Sequence, residues 1–124
     1  MGTCAVTPKT VLVVDDEKLI RWSLCEALRK GYSVHTAASA EEAMNLLGRV
    51  PADIVITDLR MPGMDGLDLI EVLRRKHPHA KLFAISAYAG DAMVKHLLSR
   101  GVLGVLSKPF EMKQVLEMLE KRAS

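Results

Sequence analysis

The stretch Asp53-Ile54-Val55-Ile56-Thr57-Asp58 decides the fold. Its four central residues are all β-branched and show no alternation with polar residues, which is typical of a strand buried on both faces. Gly63 and Gly66 then punctuate a loop, and apolar residues at helical spacing predict a helix over residues 66–76. The stretch therefore predicts a buried strand that ends in an aspartate and leads into an amphipathic helix.

The same alternation of strand and helix extends in both directions along the chain. Strands are predicted at residues 11–14, 32–36, 53–57, 81–86 and 102–106. Helices are predicted at residues 17–30, 39–47, 66–76, 90–99 and from 112 onward. Five strands that alternate strictly with five helices through short connections predict an α/β fold, a doubly wound parallel sheet covered by helices on both faces.

Length and composition predict one globular domain. The chain has 124 residues, of which 49% are hydrophobic and 26% charged. We expect residues 1–8 to form an N-terminal tail and residues 9–124 to form the domain. No apolar run approaches the roughly 20 residues that cross a membrane, and no signal peptide is visible, so we expect a cytoplasmic protein. A net charge of +2, spread along the chain, is too weak to indicate nucleic-acid binding, and we expect no direct nucleic-acid contact by this domain.

Reactive side chains collect at one edge of the predicted sheet. Asp15 and Asp16 follow the first strand, Asp58 follows the third, Ser86 ends the fourth, and Lys108 follows the fifth. Each of them alone has an ordinary interpretation as a helix cap or a loop residue. Their joint occurrence favours a binding site, because ligands of such sheets lie beyond the carboxyl ends of the strands.

Three carboxylates in one cleft repel one another, and a proton or a cation must compensate. Oxygen ligands of this kind suit Mg²⁺, which neutralises charge during phosphoryl transfer. An aspartate can itself be the nucleophile and form an acyl phosphate, while a lysine and a serine hydroxyl hold phosphoryl oxygens. The residues therefore indicate Mg²⁺-dependent phosphoryl chemistry.

Four segments together resemble the response-regulator receiver domain of two-component signalling. They are residues 11–17, 53–66, 85–87 and 106–110, and the resemblance extends over residues 9–122. It implies a flavodoxin-like fold with strand order 2-1-3-4-5. The stretch of residues 17–24, at the start of the first predicted helix, resembles the first helix of receivers attached to sigma-54-dependent activators.

The resemblance implies roles for the acidic residues. Asp58 is expected to accept the phosphoryl group and to ligate Mg²⁺. Asp15, Asp16 and the backbone carbonyl of Arg60 are expected to complete the metal site, with Asp16 as a direct ligand and Asp15 acting through water. Ser86 and Lys108 are expected to bind the phosphoryl group, and the peptide bond before Pro109 is expected to be cis.

Three positions bear on how the switch works. Receivers usually carry an aromatic residue three positions before the lysine, and here that switch position is Val105. Activation then relies on the loop after Ser86, or the coupling is weaker; Tyr88 is a candidate substitute. Arg60 and Tyr88 occupy the positions that flank the phosphoryl group, and we hypothesise that their bulk slows hydrolysis.

The resemblance also implies partners. A histidine kinase is expected to supply the phosphoryl group, and the chain is expected to catalyse only its own phosphorylation and dephosphorylation. Phosphorylation is expected to reshape the face formed by the fourth helix, fifth strand and fifth helix, and so to control an output domain or effector, or a homodimer. Most apolar residues of that face are expected to be core: Met93, Val94, Leu97, Met112 and Met118.

Three alternatives remain open at this stage. A Mg²⁺-dependent phosphatase would need an aspartate two residues after Asp58, where the chain has Arg60. A pseudo-receiver that binds a partner without phosphorylation is left open by Val105. A flavodoxin-like FMN binder is disfavoured because the acidic cleft would repel the FMN phosphate.

Overall fold

The computed structural model describes residues 8–60, 63, 65–87 and 90–123. Its strands and helices alternate without exception along these residues. The elements are β1 (Thr10–Val14), α1 (Lys18–Leu28), β2 (Ser33–Ala37), α2 (Ala40–Leu47), β3 (Ile54–Asp58), α3 (Gly66–Lys76), β4 (Lys81–Ser86), α4 (Asp91–Ser99), β5 (Val102–Ser107) and α5 (Met112–Arg122). The expected tail, apart from Pro8, lies outside the described residues.

The five strands form one parallel sheet with the order β2-β1-β3-β4-β5. This arrangement confirms the predicted flavodoxin-like fold class. Strand order reverses between β1 and β3, which are direct neighbours with Val14 opposite Thr57. The next residue after each of these is an aspartate, so the register alone brings Asp15 and Asp58 together at the carboxyl edge of the sheet.

Alternate residues of the strands build two separate cores. Leu12 and Val14 face the layer of α2, α3 and α4, where Leu73 and Leu97 are also buried. The intervening strand residues face α1 and α5 and form the second core. Its buried strand residues include Val11, Val13, Ile54 and Ile56, and its buried helix residues include Leu24, Leu28, Val115 and Leu119. Because both faces of the central strands are covered, these strands read as continuous apolar runs in the sequence.

Side-chain caps fix the helix ends, with one difference from expectation. Ser39 Oγ accepts a hydrogen bond from the Glu42 backbone N–H at 3.1 Å, as the predicted capping box requires. The Glu42 carboxylate, however, accepts from the backbone N–H of Ala38 at 3.3 Å instead of that of Ser39. A complete capping box occurs at α5, between Glu111 and Gln114, where none was predicted.

The carboxyl end of α5 is attached to the edge of the sheet opposite the site. The ammonium groups of Lys9 and Lys81 donate to the Ala123 carbonyl oxygen at 2.7 and 3.1 Å. Two cations thereby satisfy a carbonyl that the helix itself leaves unpaired. Among the described residues, no helix is long and apolar enough to cross a membrane.

Candidate functional site

Three carboxylates meet at the point where the strand order reverses. Asp15 and Asp16 follow β1, and Asp58 is the last residue of β3. Each of the three offers an oxygen that lies within 4.8 Å of the others. Asp15 and Asp58 are buried, whereas Asp16 is exposed to solvent. The sequence predicted this cluster, and the structure brings all three residues together.

Local hydrogen bonds hold the carboxylates in place. Asp15 Oδ1 accepts from the backbone N–H of Glu17 at 2.8 Å, and Asp58 Oδ1 accepts from that of Arg60 at 3.1 Å. Aspartate favours such bonds to the backbone two residues ahead. Arg21 Nη1 of α1 donates to the Asp15 carbonyl oxygen at 2.7 Å and so fixes the turn that carries the acidic pair.

Lys108 provides the positive charge of the site. Its Nζ lies 2.8 Å from Glu17 Oε1, 2.9 Å from Asp58 Oδ2 and 3.5 Å from Asp15 Oδ2. Burial alone would lower the pKa of this ammonium, but the hydrogen bonds to Glu17 and Asp58 outweigh it, and the pKa lies above its usual value. Lys108 is therefore a cation at every pH at which the carboxylates ionise.

One carboxylate oxygen is buried without a hydrogen bond. Asp15 is fully buried, and among the described residues its Oδ2 has no hydrogen-bond partner. Burial, reinforced by the charge of Asp58, raises the pKa of Asp15 to about 6. A divalent cation would satisfy this oxygen. Clustered carboxylate oxygens are the ligands that Mg²⁺ prefers, and Asp16 is exposed to solvent, so the residues present fit this metal.

The ends of β4 and β5 close the other side of the site. Ser86 is the buried last residue of β4, and its carbonyl oxygen accepts from the backbone N–H of Lys108 at 2.7 Å. The Lys108–Pro109 peptide bond is cis, as expected. Ser86 thus lies at the same edge as the acidic cluster, directly beside the lysine.

The three positions linked to switching have different surroundings. Val105 is half-buried on β5 and borders a groove of about 430 Å³ with Leu98 of α4 and Met118 of α5. The Arg60 side chain is exposed, while Tyr88 lies outside the described residues. The five apolar residues of this face that were expected to be core are less buried than expected: Leu97 is fully buried, Met93 is exposed, and Val94, Met112 and Met118 are half-buried.

The sequence interpretation missed two residues of the site. The sequence interpretation included Glu17 only within the segments that resemble receiver domains and gave it no role in the site. Its carboxylate nevertheless makes the shortest contact with Lys108. Arg21 was part of the stretch 17–24 that resembles other receivers but was not assigned to the site, although it donates to the Asp15 carbonyl oxygen. The available signal was position: Glu17 precedes the first residue of α1, and Arg21 lies one helical turn later.

Comparison with known proteins identifies the family. The model of the response regulator receiver domain matches residues 11–120. The sensor kinase CckA of Brucella abortus is 43% identical over 120 residues, which cover 91% of this chain and 13% of CckA. The response regulator protein FleR of Pseudomonas aeruginosa is 33% identical over 91% of this chain and 24% of its own length. The chain therefore spans only a minor part of these two relatives.

Other similar proteins match over nearly their whole length. The chemotaxis protein CheY of Thermotoga maritima is 36% identical over 91% of this chain and 96% of its own. The solved receiver domain of HemR from Leptospira biflexa has a TM-score of 0.86 at 31% identity and covers 94% of both chains. Sequence and fold agree, and the chain belongs to the family of response regulator receiver domains.

Proposed function

We propose that this receiver domain is a phosphorylation switch that accepts a phosphoryl group from a histidine kinase on Asp58. The observation that carries the proposal is the contact between the Lys108 ammonium and Asp58 Oδ2 at 2.9 Å, beside the Asp15 oxygen that accepts no hydrogen bond among the described residues. A carboxylate nucleophile, a cation for the phosphoryl oxygens and a set of metal ligands then lie in one cleft.

In the transfer, a carboxylate oxygen of Asp58 attacks the phosphorus of a phosphohistidine. The new O–P bond gives an acyl phosphate, and the P–N bond breaks with its electron pair left on the imidazole nitrogen, which takes up a proton. The Lys108 ammonium moves from the carboxylate to a phosphoryl oxygen and stabilises the charge there. Ser86 donates its hydroxyl to a further phosphoryl oxygen.

Mg²⁺ would be held by Asp15, Asp16 and Asp58, together with the backbone carbonyl of Arg60. When bound, the metal neutralises the charge that builds up on the oxygens of the phosphoryl group in transit. The raised pKa of Asp15 supports this assignment, because the buried carboxylate lacks a sufficient cation in the protein alone.

Phosphorylation would change the face formed by α4, β5 and α5, and through it an output domain, an effector or a homodimer. Support comes from the groove on that face and from its half-buried apolar residues. Since Val105 cannot swing as an aromatic side chain would, we propose that the segment after Ser86 carries the signal. Arg60 and Tyr88 are proposed to slow hydrolysis of the phosphoryl group on Asp58. The protein is proposed to act in the cytoplasm.

The test is phosphorylation by acetyl phosphate, read as the mass gain of one phosphoryl group. Wild type should gain the group with Mg²⁺ and lose this ability on chelation, and Asp58→Asn should not react. Asp53→Asn, which removes a carboxylate at the opposite end of the same strand, is the matched control. Unreactive but folded wild type would overturn the proposal and favour a pseudo-receiver that binds its partner without phosphorylation.

A further inference from the structure

Glu17 occupies an unusual position between helix α1 and the candidate site. It is the residue before the first residue of α1, where side chains commonly accept hydrogen bonds from the helix N–H groups, but its side chain makes no such bond. Its carboxylate instead reaches Lys108, 91 residues away in sequence, at 2.8 Å. The contact joins the start of the first helix to the end of the fifth strand.

Carboxylates surround the Lys108 ammonium. Two of its three N–H donors are hydrogen-bonded, to Glu17 at 2.8 Å and to Asp58 at 2.9 Å, and Asp15 Oδ2 lies 3.5 Å away as an ion-pair partner. Two of these partners, Asp58 and Asp15, belong to the acidic cluster itself. Glu17 does not, and 58% of its side chain is exposed, so it could release the lysine without leaving a buried charge unpaired.

A phosphoryl group on Asp58 changes what the lysine must do. The ammonium has to turn at least one N–H towards the new phosphoryl oxygens, and the Glu17 carboxylate offers a competing partner of the same charge. That carboxylate also repels an incoming anionic phosphodonor. Asp58 and Asp15 alone keep Lys108 in the cleft, so Glu17 is not needed to retain it there.

We propose that Glu17 is a positioning residue that competes with the phosphoryl group for the Lys108 ammonium and thereby slows phosphorylation of Asp58. The proposal rests on the proposed function of the site. Glu17 then affects the rate at which Asp58 is phosphorylated, although it is neither a metal ligand nor the phosphoryl acceptor.

The test compares phosphorylation rates from acetyl phosphate at saturating Mg²⁺, where differences in metal affinity drop out. Glu17→Gln keeps the shape of the side chain and removes its charge. Exposed ion pairs are weak, so we expect a rise of about two- to fivefold in the rate. Glu26→Gln is the matched control: it removes an equal charge from α1, where Glu26 pairs with Arg29, and its rate should equal that of wild type.

A second measurement needs neither metal nor phosphodonor. In ¹⁵N-labelled, metal-free protein, the ammonium resonance of Lys108, assigned by its absence in Lys108→Arg, reports how the ammonium is held. Glu17→Gln should shift it and speed its exchange with water, while Glu26→Gln should leave it unchanged. If Glu17 only stabilised α1, its replacement would leave the Lys108 resonance unchanged.

The outcomes separate the two proposals. If wild type is phosphorylated and Glu17→Gln reacts at the same rate, or if the Lys108 resonance is unchanged, the role of Glu17 is overturned while the switch function stands. If wild type is not phosphorylated at all, the switch function fails and the competition proposed for Glu17 fails with it. A faster reaction together with a shifted resonance supports both.

Discussion

Lys108 Nζ lies 2.9 Å from Asp58 Oδ2, although 50 residues separate the two in sequence. The contact joins the end of β3 to the residue that follows β5. These two strands are not neighbours in the sheet, because β4 lies between them. It spans the end of β4, whose last residue, Ser86, is hydrogen-bonded to the Lys108 backbone. Lys108 therefore connects the ends of β3, β4 and β5 through its side chain and its backbone together, and loss of the side chain should lower stability as well as alter the chemistry.

Replacing Lys108 by methionine should destabilise the metal-free protein. The substitution leaves buried carboxylates without their cation, and with Lys108 only 18% exposed we expect a loss of about 1–2 kcal/mol in the free energy of unfolding. Urea denaturation in the presence of a chelator measures it. Lys113→Met is the control, because Lys113 is 82% exposed and should change stability by less than about 0.5 kcal/mol. Equal losses in both variants would contradict the assigned role.

The buried carboxylate of Asp15 should make stability depend on pH. Its pKa is raised from 3.8 to about 6, so the folded state binds the proton more tightly than the unfolded state does. The stabilisation from protonated Asp15 is therefore complete below about 3.8 and is lost as the pH rises through about 6.

Asp15→Asn isolates this contribution, since its side-chain oxygen can still accept from the Glu17 N–H. In chelator, the variant should exceed wild type in stability by about 2–3 kcal/mol at pH 7, and the difference should vanish near pH 4. Denaturation curves at several pH values give the comparison. A difference that does not change with pH would show that Asp15 ionises normally.

Mg²⁺ should stabilise the folded protein through the acidic cluster. A ligand that binds only the folded state stabilises it by about 2.7 kcal/mol at a concentration one hundred times its dissociation constant. Thermal unfolding with increasing Mg²⁺ should show a rising Tm in wild type and a much smaller rise in Asp16→Asn. Asp68→Asn, which removes an exposed carboxylate of α3, should respond like wild type. An equal response in Asp16→Asn would remove Asp16 from the metal site.

Gly66 is needed because α3 begins against the end of β3. A Cβ at this position would lie 2.3 Å from the Asp58 carbonyl oxygen and 2.7 Å from Leu59 Cα, both backbone atoms that cannot move freely. Gly66→Ala should cost about 1–3 kcal/mol of stability and slow phosphorylation by displacing Asp58.

Gly31→Ala is the matched control for Gly66→Ala, because a Cβ at position 31 meets nothing within 4 Å. This variant should be unchanged or more stable by up to about 1 kcal/mol. Urea denaturation and acetyl phosphate labelling of both variants provide the two readouts. If both glycine variants behave alike, the close approach at Gly66 has no energetic consequence.

Much of the fold was predictable because its signals are local. β-branched runs such as Ile54-Val55-Ile56 mark strands buried on both faces, and the helices between them show clear apolar spacing. Which strands are neighbours was not predictable from alternation, since that order depends on packing across the sheet. It came from the resemblance, and the structure confirms it.

The site was predictable only as far as the backbone determines it. Strand ends place Asp15, Asp58 and Lys108 at one edge, and the sequence shows where strands end. The contact between Glu17 and Lys108 depends on side-chain rotamers of residues 91 apart, for which no local signal exists. The same holds for Met118, whose sulfur fills the space beside Gly104.

Helix α5 is attached unequally at its two ends. Its carboxyl end is held by two charged hydrogen bonds, from Lys9 and Lys81 to the Ala123 carbonyl oxygen. Its first residue, Met112, follows Lys108 by only four positions. We therefore expect a displacement of the lysine to reach α5 first at Met112, while the hydrogen bonds at Ala123 restrain the opposite end. The first turn of α5 should then move most, so we expect a partner that responds to this helix to bind at its start.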